Sequence, residues 1–254
     1  MTVALPPEIL DEILDHIPTN RDGRQTLRAC ALVATWWTGP SQSRLFASVT
    51  IYESNYERWM KGVVLPGSKA RLLGYVRSFH HYRGLSFGTQ YRMQDPQQSS
   101  GEYFPALPNL SSLMFFNTKV EDIGEEGLHS LFSSFRETLT SLSLDTFATS
   151  FSAFVALVGY FPNLRILQLR NLAFTPSEGP VPTLFRPFQG TLCIYAQSDY
   201  LEFFSWFAKL DLEYEELVIK SSYRTAGTRF LENVFQISPG TVKCLRLTAE
   251  LDRE

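Results

Sequence analysis

The sequence predicts an α/β chain in two parts: a small three-helix unit, then an irregular solenoid of strand-and-helix repeats carrying a parallel sheet. Three observations predict it. The first 50 residues hold short apolar-periodic stretches separated by Pro18 and a polar gap. From about residue 76 an apolar-x-x-apolar-x-apolar pattern recurs. Its central positions, Phe79, Leu113, Leu142, Leu167, Leu192, Leu217 and Leu245, lie 34, 29, 25, 25, 25 and 28 residues apart.

Composition bounds the function. The 254 residues suffice for one sizeable domain or two small ones. Apolar content of 44% with 19% charged residues fits a folded chain rather than a disordered one. Net charge is −3 and the cations are scattered, so nucleic acid is not an expected partner. No run of about 18 apolar residues exists, so no membrane span is expected. Pro6 and Pro7, followed by Glu8, Asp11, Glu12 and Asp15, argue against a signal peptide. Cys30, Cys193 and Cys244 lie far apart, with neither disulfide-framework nor metal-ligand spacing. A reducing compartment, cytoplasm or nucleus, is therefore expected.

The first helix opens at Pro6-Pro7, which suit a first turn because no amide hydrogen is needed there. Ile9, Leu10, Ile13, Leu14 and Ile17 then form an amphipathic stripe. Acidic residues fill the other faces of its N-terminal half, where the macrodipole favours them. Pro18 stops the helix, and residues 19–24, with Asp22-Gly23, read as a polar turn. A second helix is expected over about 25–33 and a third from near Thr35. Adjacent Trp36 and Trp37 cannot point the same way, so one is expected inside and one at a surface or partner. Leu45 and Phe46 close the unit at about residue 48, and Val49 and Ile51 alternate as a first strand. So small a unit is either a cap on the repeat region or a partner-binding module.

These residues resemble a family. LPPEILDEILDHI followed by LRACALVATWWTGPSQSRLFASVTI is similar to the F-box of fungal F-box proteins. The likeness rests on Leu5, Pro6, Glu8, Ile9, Ile13, Cys30, Ala31, Leu32, Val33, Trp37, Leu45 and Phe46, and covers residues 5–51, about a fifth of the chain. The resemblance implies docking on the Skp-family adaptor, and thereby on the cullin, of a cullin–RING ubiquitin ligase. Leu5, Pro6, Ile9, Ile13, Leu27, Cys30, Leu32, Val33 and Trp37 would divide between the module's core and the partner's groove. Buried aliphatic and aromatic anchors make such an interface tight.

The region 49–254 follows the period of leucine-rich repeats, roughly 20–29 residues. FPALPNLSSLMF and FPNLRILQLRNL each place Pro-Asn-Leu ahead of a strand. Helix-like stretches at 126–135, 151–160, 199–210 and 227–236 fall between strands. A compact α/β domain is the competing architecture. Strand alternation then assigns an outward, concave face. It would carry Ser78, His80 and Tyr82, then Ser112, Met114 and Phe116, then Ser141, Ser143 and Asp145. Ile166, Gln168, Arg170, Thr191, Cys193 and Tyr195 continue it, followed by Glu216, Val218, Lys220, Cys244, Arg246 and Thr248. Tyr82, Met114, Phe116, Asp145, Gln168, Arg170, Tyr195, Lys220 and Arg246 are the expected contacts to a protein client, unless a flanking loop covers them. Residues 83–103 read as a long polar loop. The chain ends at LRLTAELDRE, directly after a strand pattern, where stacked repeats expect a cap. A shortened solenoid or a shielded last edge is the expectation.

Catalytic patterns are missing. The sequence has no glycine-rich phosphate loop, no nucleophile elbow and no His-Glu-x-x-His or paired Cys-x-x-Cys. His80 and His81 are expected to face opposite ways, one half-buried and one exposed; His129 reads as a surface residue. Glu125-Glu126 and Glu215-Glu216 read as solvated faces. Asn109-Leu-Ser111 matches a glycosylation acceptor expected to be silent, and the aromatic run 200–207 reads as core. No enzyme activity, cofactor or metal is expected. The expected function is that of a substrate receptor; a repeat scaffold whose helices merely cap it is the alternative.

Overall fold

The computed structural model describes residues 5–59, 61–62, 70–82, 86–87, 106–120, 125–175, 188–196, 213–221 and 244–249. Three helices come first: α1 (Pro7–Asp15), α2 (Arg21–Val33) and α3 (Thr35–Phe46). The polar turn expected over 19–24 is shorter than that. Asn20 is the N-cap of α2, its side-chain oxygen accepting the Gly23 N–H at 2.9 Å, so Arg21–Arg24 already form a helical turn. Gly23 sits inside the helix because a Cβ there would overlap the Pro18 carbonyl oxygen. A pair that reads as a turn signal is here a close-approach site.

Leu10, Leu14 and Leu27 form the core of this unit, with Ile17, Cys30, Trp36, Trp37 and Leu45 packed against it. The expected split of the tryptophans does not occur. Both are half-buried on that core, their rings tilted at 5.5 Å. Arg44 ties α3 to α1, with Nη1 3.1 Å from Asp11 Oδ1 and Nη2 2.6 Å from Asp15 Oδ1. Thr38 Oγ1 donates to the Ala31 carbonyl at 3.0 Å, pinning the sharp α2–α3 corner at Ala34.

The rest is built on one parallel sheet. Its strands are β1 (Ser48–Tyr52), β2 (Ser78–Tyr82), β3 (Ser86–Phe87), β4 (Ser112–Val120), β5 (Ser141–Ser150), β6 (Ile166–Thr175), β7 (Gln189–Ala196), β8 (Glu213–Ser221) and β9 (Cys244–Ala249). Spatial order follows chain order from β1 to β9, with β3 beside the far end of β4. That short strand falls within the expected 83–103 loop; the rest of that loop, the helices expected at 199–210 and 227–236, the aromatic run and residues 250–254 lie outside the described residues.

Register follows the repeat. Phe79, Leu113, Leu142, Leu167, Leu192, Leu217 and Leu245 are successive partners across the sheet, and Val49 precedes them. Leu113, Leu142, Leu167, Leu192 and Leu217 are all buried, since a one-residue slip would turn the row to the other face. Helices α4 (Glu53–Trp59), α5 (Glu125–Phe132) and α6 (Phe151–Gly159) lie between strands. Phe132, Phe135, Phe154 and Leu157 join the inward leucines in one continuous core. A Ser150 cap, accepting the Ala153 N–H at 3.1 Å, starts α6.

Two devices repeat along the strands. At their starts, Ala47, Arg77, Ser111 and Thr140 each offer one carbonyl to two successive N–H groups of the next strand, at 2.8–2.9 Å. At the turn before β4 the Asn109 side chain donates to Gly74 O at 2.7 Å, and before β6 Asn163 donates to Glu137 O at 2.7 Å. That is what the Pro-Asn-Leu string is for: each asparagine staples its turn to the preceding one. Further along, Asn117, Thr146 and Asn171 have φ of 52°, 52° and 51°. These left-handed residues turn a corner in β4, β5 and β6 and shift the alternation, so that Thr118 and Phe147 point inward. The strands therefore run to 9 or 10 residues, longer than the repeated motif alone indicates.

Candidate protein-interaction surfaces

Two surfaces present side chains that the fold does not use. The first is on the helical unit. The apolar arc of α1 is wider than its packing partners can cover. Leu10 and Leu14 point inward at 2% and 1% exposure, while Leu5, Ile9 and Ile13 remain 38%, 44% and 42% exposed. Pro6 is exposed beside them. At the end of α2, Leu32 and Val33 are 87% and 70% exposed. The structure divides the apolar set by burial: Leu27 is buried, Cys30 and Trp37 are half-buried against the unit's core, and Leu5, Pro6, Ile9, Ile13, Leu32 and Val33 are exposed.

The second is the outward face of the sheet. Register aligns Tyr52, Tyr82, Phe116, Asp145, Arg170, Tyr195 and Lys220 in one row across successive strands. The row beside it carries Thr50, His80, Met114, Ser143, Gln168, Cys193, Val218 and Arg246. At the first end the side chains stack. Tyr52 and Tyr82 are 5.1 Å apart and parallel to within 25°, Tyr82 meets Phe116 at 5.3 Å, and Tyr82 Oη donates to Met114 Sδ at 3.8 Å. Tyr52, half-exposed, was not among the expected contacts, although its alternation with Val49 and Ile51 places it on this face.

The middle of the row is charged. Asp145 is buried on this face, not open as its position implies. Its Oδ1 accepts from Asn171 Nδ2 and Thr146 Oγ1, each at 3.2 Å. Arg170 Nε lies 3.8 Å from Asp145 Oδ2, and its guanidinium sits 4.2 Å above the Tyr195 ring. Val218 is also buried. Gln168 is half-buried and Arg246 is exposed.

Several expectations are corrected here. Glu216 is not a solvated acid: its Oε1 is 3.1 Å from Arg246 and its Oε2 accepts from Thr191 at 3.4 Å. Neither His80 nor His81 is exposed; His81 is buried among aromatic rings, and His80 is half-buried with Nε2 2.9 Å from Ser78 Oγ. Burial lowers the His80 pKa below its usual 6.5. His129 is exposed but meets the hydroxyl of buried Tyr160 at 3.2 Å. Among the described residues no group of three or more His, Cys, Asp or Glu side chains is placed to hold a metal ion, and no helix is long and apolar enough to cross a membrane. Comparison with protein-family models, curated proteins and solved structures finds no match.

Proposed function

We propose that this protein is a substrate-receptor subunit of a cullin–RING ubiquitin ligase. The N-terminal unit acts as an F-box that docks on the Skp-family adaptor, and the sheet, read as a leucine-rich-repeat-like solenoid, holds a protein client on its outward face. The observation that carries the reading is the exposed stripe of Leu5, Ile9 and Ile13, opposite a core already filled by Leu10, Leu14 and Leu27. Exposed large aliphatics on one helix face, in a unit whose own core is complete, are the anchors of an interface. The receptor's contribution is proximity and orientation, with covalent transfer left to its partners. Co-expression with a Skp-family adaptor tests it: a stable complex is expected, and absence of binding at micromolar concentration overturns it.

A second reading has its own support. The Ala47 carbonyl at the end of the helical unit accepts the N–H groups of both Arg77 and Ser78, so the unit is joined to the first strands as a cap. A non-catalytic repeat scaffold would need only this. It leaves the apolar stripe without a role and predicts a well-behaved monomer with no affinity for the adaptor.

A further inference from the structure

The outward row combines an aromatic platform with a positioned cation. Tyr52 and Tyr82 stack, and Phe116 meets Tyr82 tilted at 5.3 Å, so three aromatic rings form a continuous apolar strip across three strands, against which a flat or apolar side chain can pack. Two strands beyond Phe116, Arg170 is held from two sides, by Asp145 at its Nε and by the Tyr195 ring beneath its plane. Its Nη groups have no hydrogen-bond partner among the described residues, and its side chain is 44% exposed. A guanidinium pre-set in this way presents its free edge to a carboxylate without first losing rotamer freedom. The Asp145 carboxylate does not use that edge: it stands at 3.8 Å from Nε and is occupied by Asn171 and Thr146.

We propose that the occupant of this face is an extended acidic peptide lying across the strands, with an aromatic residue on the Tyr52–Tyr82–Phe116 platform and a glutamate or aspartate on Arg170. The inference rests on the reading of this face as the client site and names the client's chemistry. Spacing comes from the sheet. Tyr82 and Arg170 are three strands apart, which is about 14 Å at about 4.8 Å per strand, and an extended chain covers that in about four residues. Aromatic and acidic residues separated by about four positions are therefore the expected signature.

Selection of random short peptides displayed on phage against the full-length chain tests this, followed by fluorescence polarisation with the enriched peptide itself as probe. Enrichment of an aromatic–acid pair at that spacing is expected. Changing the probe's acid to its amide and changing Arg170→Gln should each weaken binding about tenfold, the two effects overlapping when combined, as for one charge-assisted pair. Tyr82→Ala should weaken binding of the same probe, and Arg170→Lys should retain part of it. Enriched peptides lacking the pair, or affinity indifferent to Arg170→Gln in a variant that melts like the parent, overturns the proposal. A chain that binds the adaptor but selects no such peptide refutes this inference alone; selection of the peptide by a chain that fails to bind the adaptor refutes the receptor reading alone.

Discussion

Replacing Leu5, Ile9 and Ile13 together by serine should sever adaptor binding without unfolding the chain. The structure sets the size of the effect. Full burial of an aliphatic side chain of this size is worth roughly 1.5–3 kcal/mol. The three side chains are 38%, 44% and 42% exposed, so that fraction of each is what a partner can still cover. The sum is about 2–4 kcal/mol, or about 25- to 700-fold in Kd. Isothermal titration against a purified Skp-family adaptor measures it, with urea denaturation of the free chain as the folding control. The control should itself show some loss of stability, because more than half of each residue is already covered in the free chain, so binding is compared under conditions where both proteins remain folded. Leu14→Ala is the converse variant: at 1% exposure it should cost about 2–5 kcal/mol of stability. The reasoning is refuted if the triple variant stays folded and binds the adaptor within about threefold of the parent, well under the range above.

Other outcomes hinge on single residues. Thr146 is a β-branched residue at φ 52°, beside Asn117 and Asn171 in the same conformation. Thr146→Val keeps the strain and loses the bond to Asp145, so it should destabilise by about 1 kcal/mol, whereas Thr146→Asn loses the same bond but relieves the strain and should leave stability near that of the parent; thermal melts showing the opposite order would contradict the strained-corner assignment. Gly190→Ala should disrupt the β6–β7 pairing, because its Cβ would overlap the Arg165 carbonyl, and loss of amide protection at Thr191, which donates to that carbonyl at 2.8 Å, is the readout. His80 has a folded-state pKa below the unfolded 6.5, so the folded state binds the proton less tightly. Its stability contribution is complete above pH 6.5 and is lost as pH falls from there through the lowered value. Urea midpoints across that window should decline less steeply in His80→Gln.

Much of the sheet was legible because burial repeats. The apolar residue at each motif centre must face the core, and one buried row per strand is enough to fix which residues pair; the fifth member, Leu192, whose motif opens on polar Gln189, still falls in register. Its irregularity has a visible cause, a bulge at Gly190/Thr191 where the motif's first apolar position is Gln189. The left-handed corners were not read, although Asn117 and Asn171 stand at one repeat position and could have marked it. Thr146 at the third corner hides the pattern, since nothing in a threonine signals positive φ. The aspartate–glycine pair at 22–23 misled for the opposite reason: it carries a turn's composition, but the approach of Pro18 demands a helical glycine.

Sequence alone determined the period, the inward row and the set of apolar residues in the helical unit, because alternation and helical spacing are properties of the chain taken one element at a time. Only the tertiary structure decided which half of the α1 arc is covered. Ile9 and Leu10 are equally apolar and adjacent, and their fates at 44% and 2% exposure depend on where α2 and α3 pack. The same holds on the sheet. Asp145 and Arg170 share a face by alternation, but burial of one and the poise of the other over Tyr195 come from neighbours 25 residues or more away in the chain. A side chain's chemistry is written locally; whether it is spent on the fold or left for a partner is decided by what packs against it.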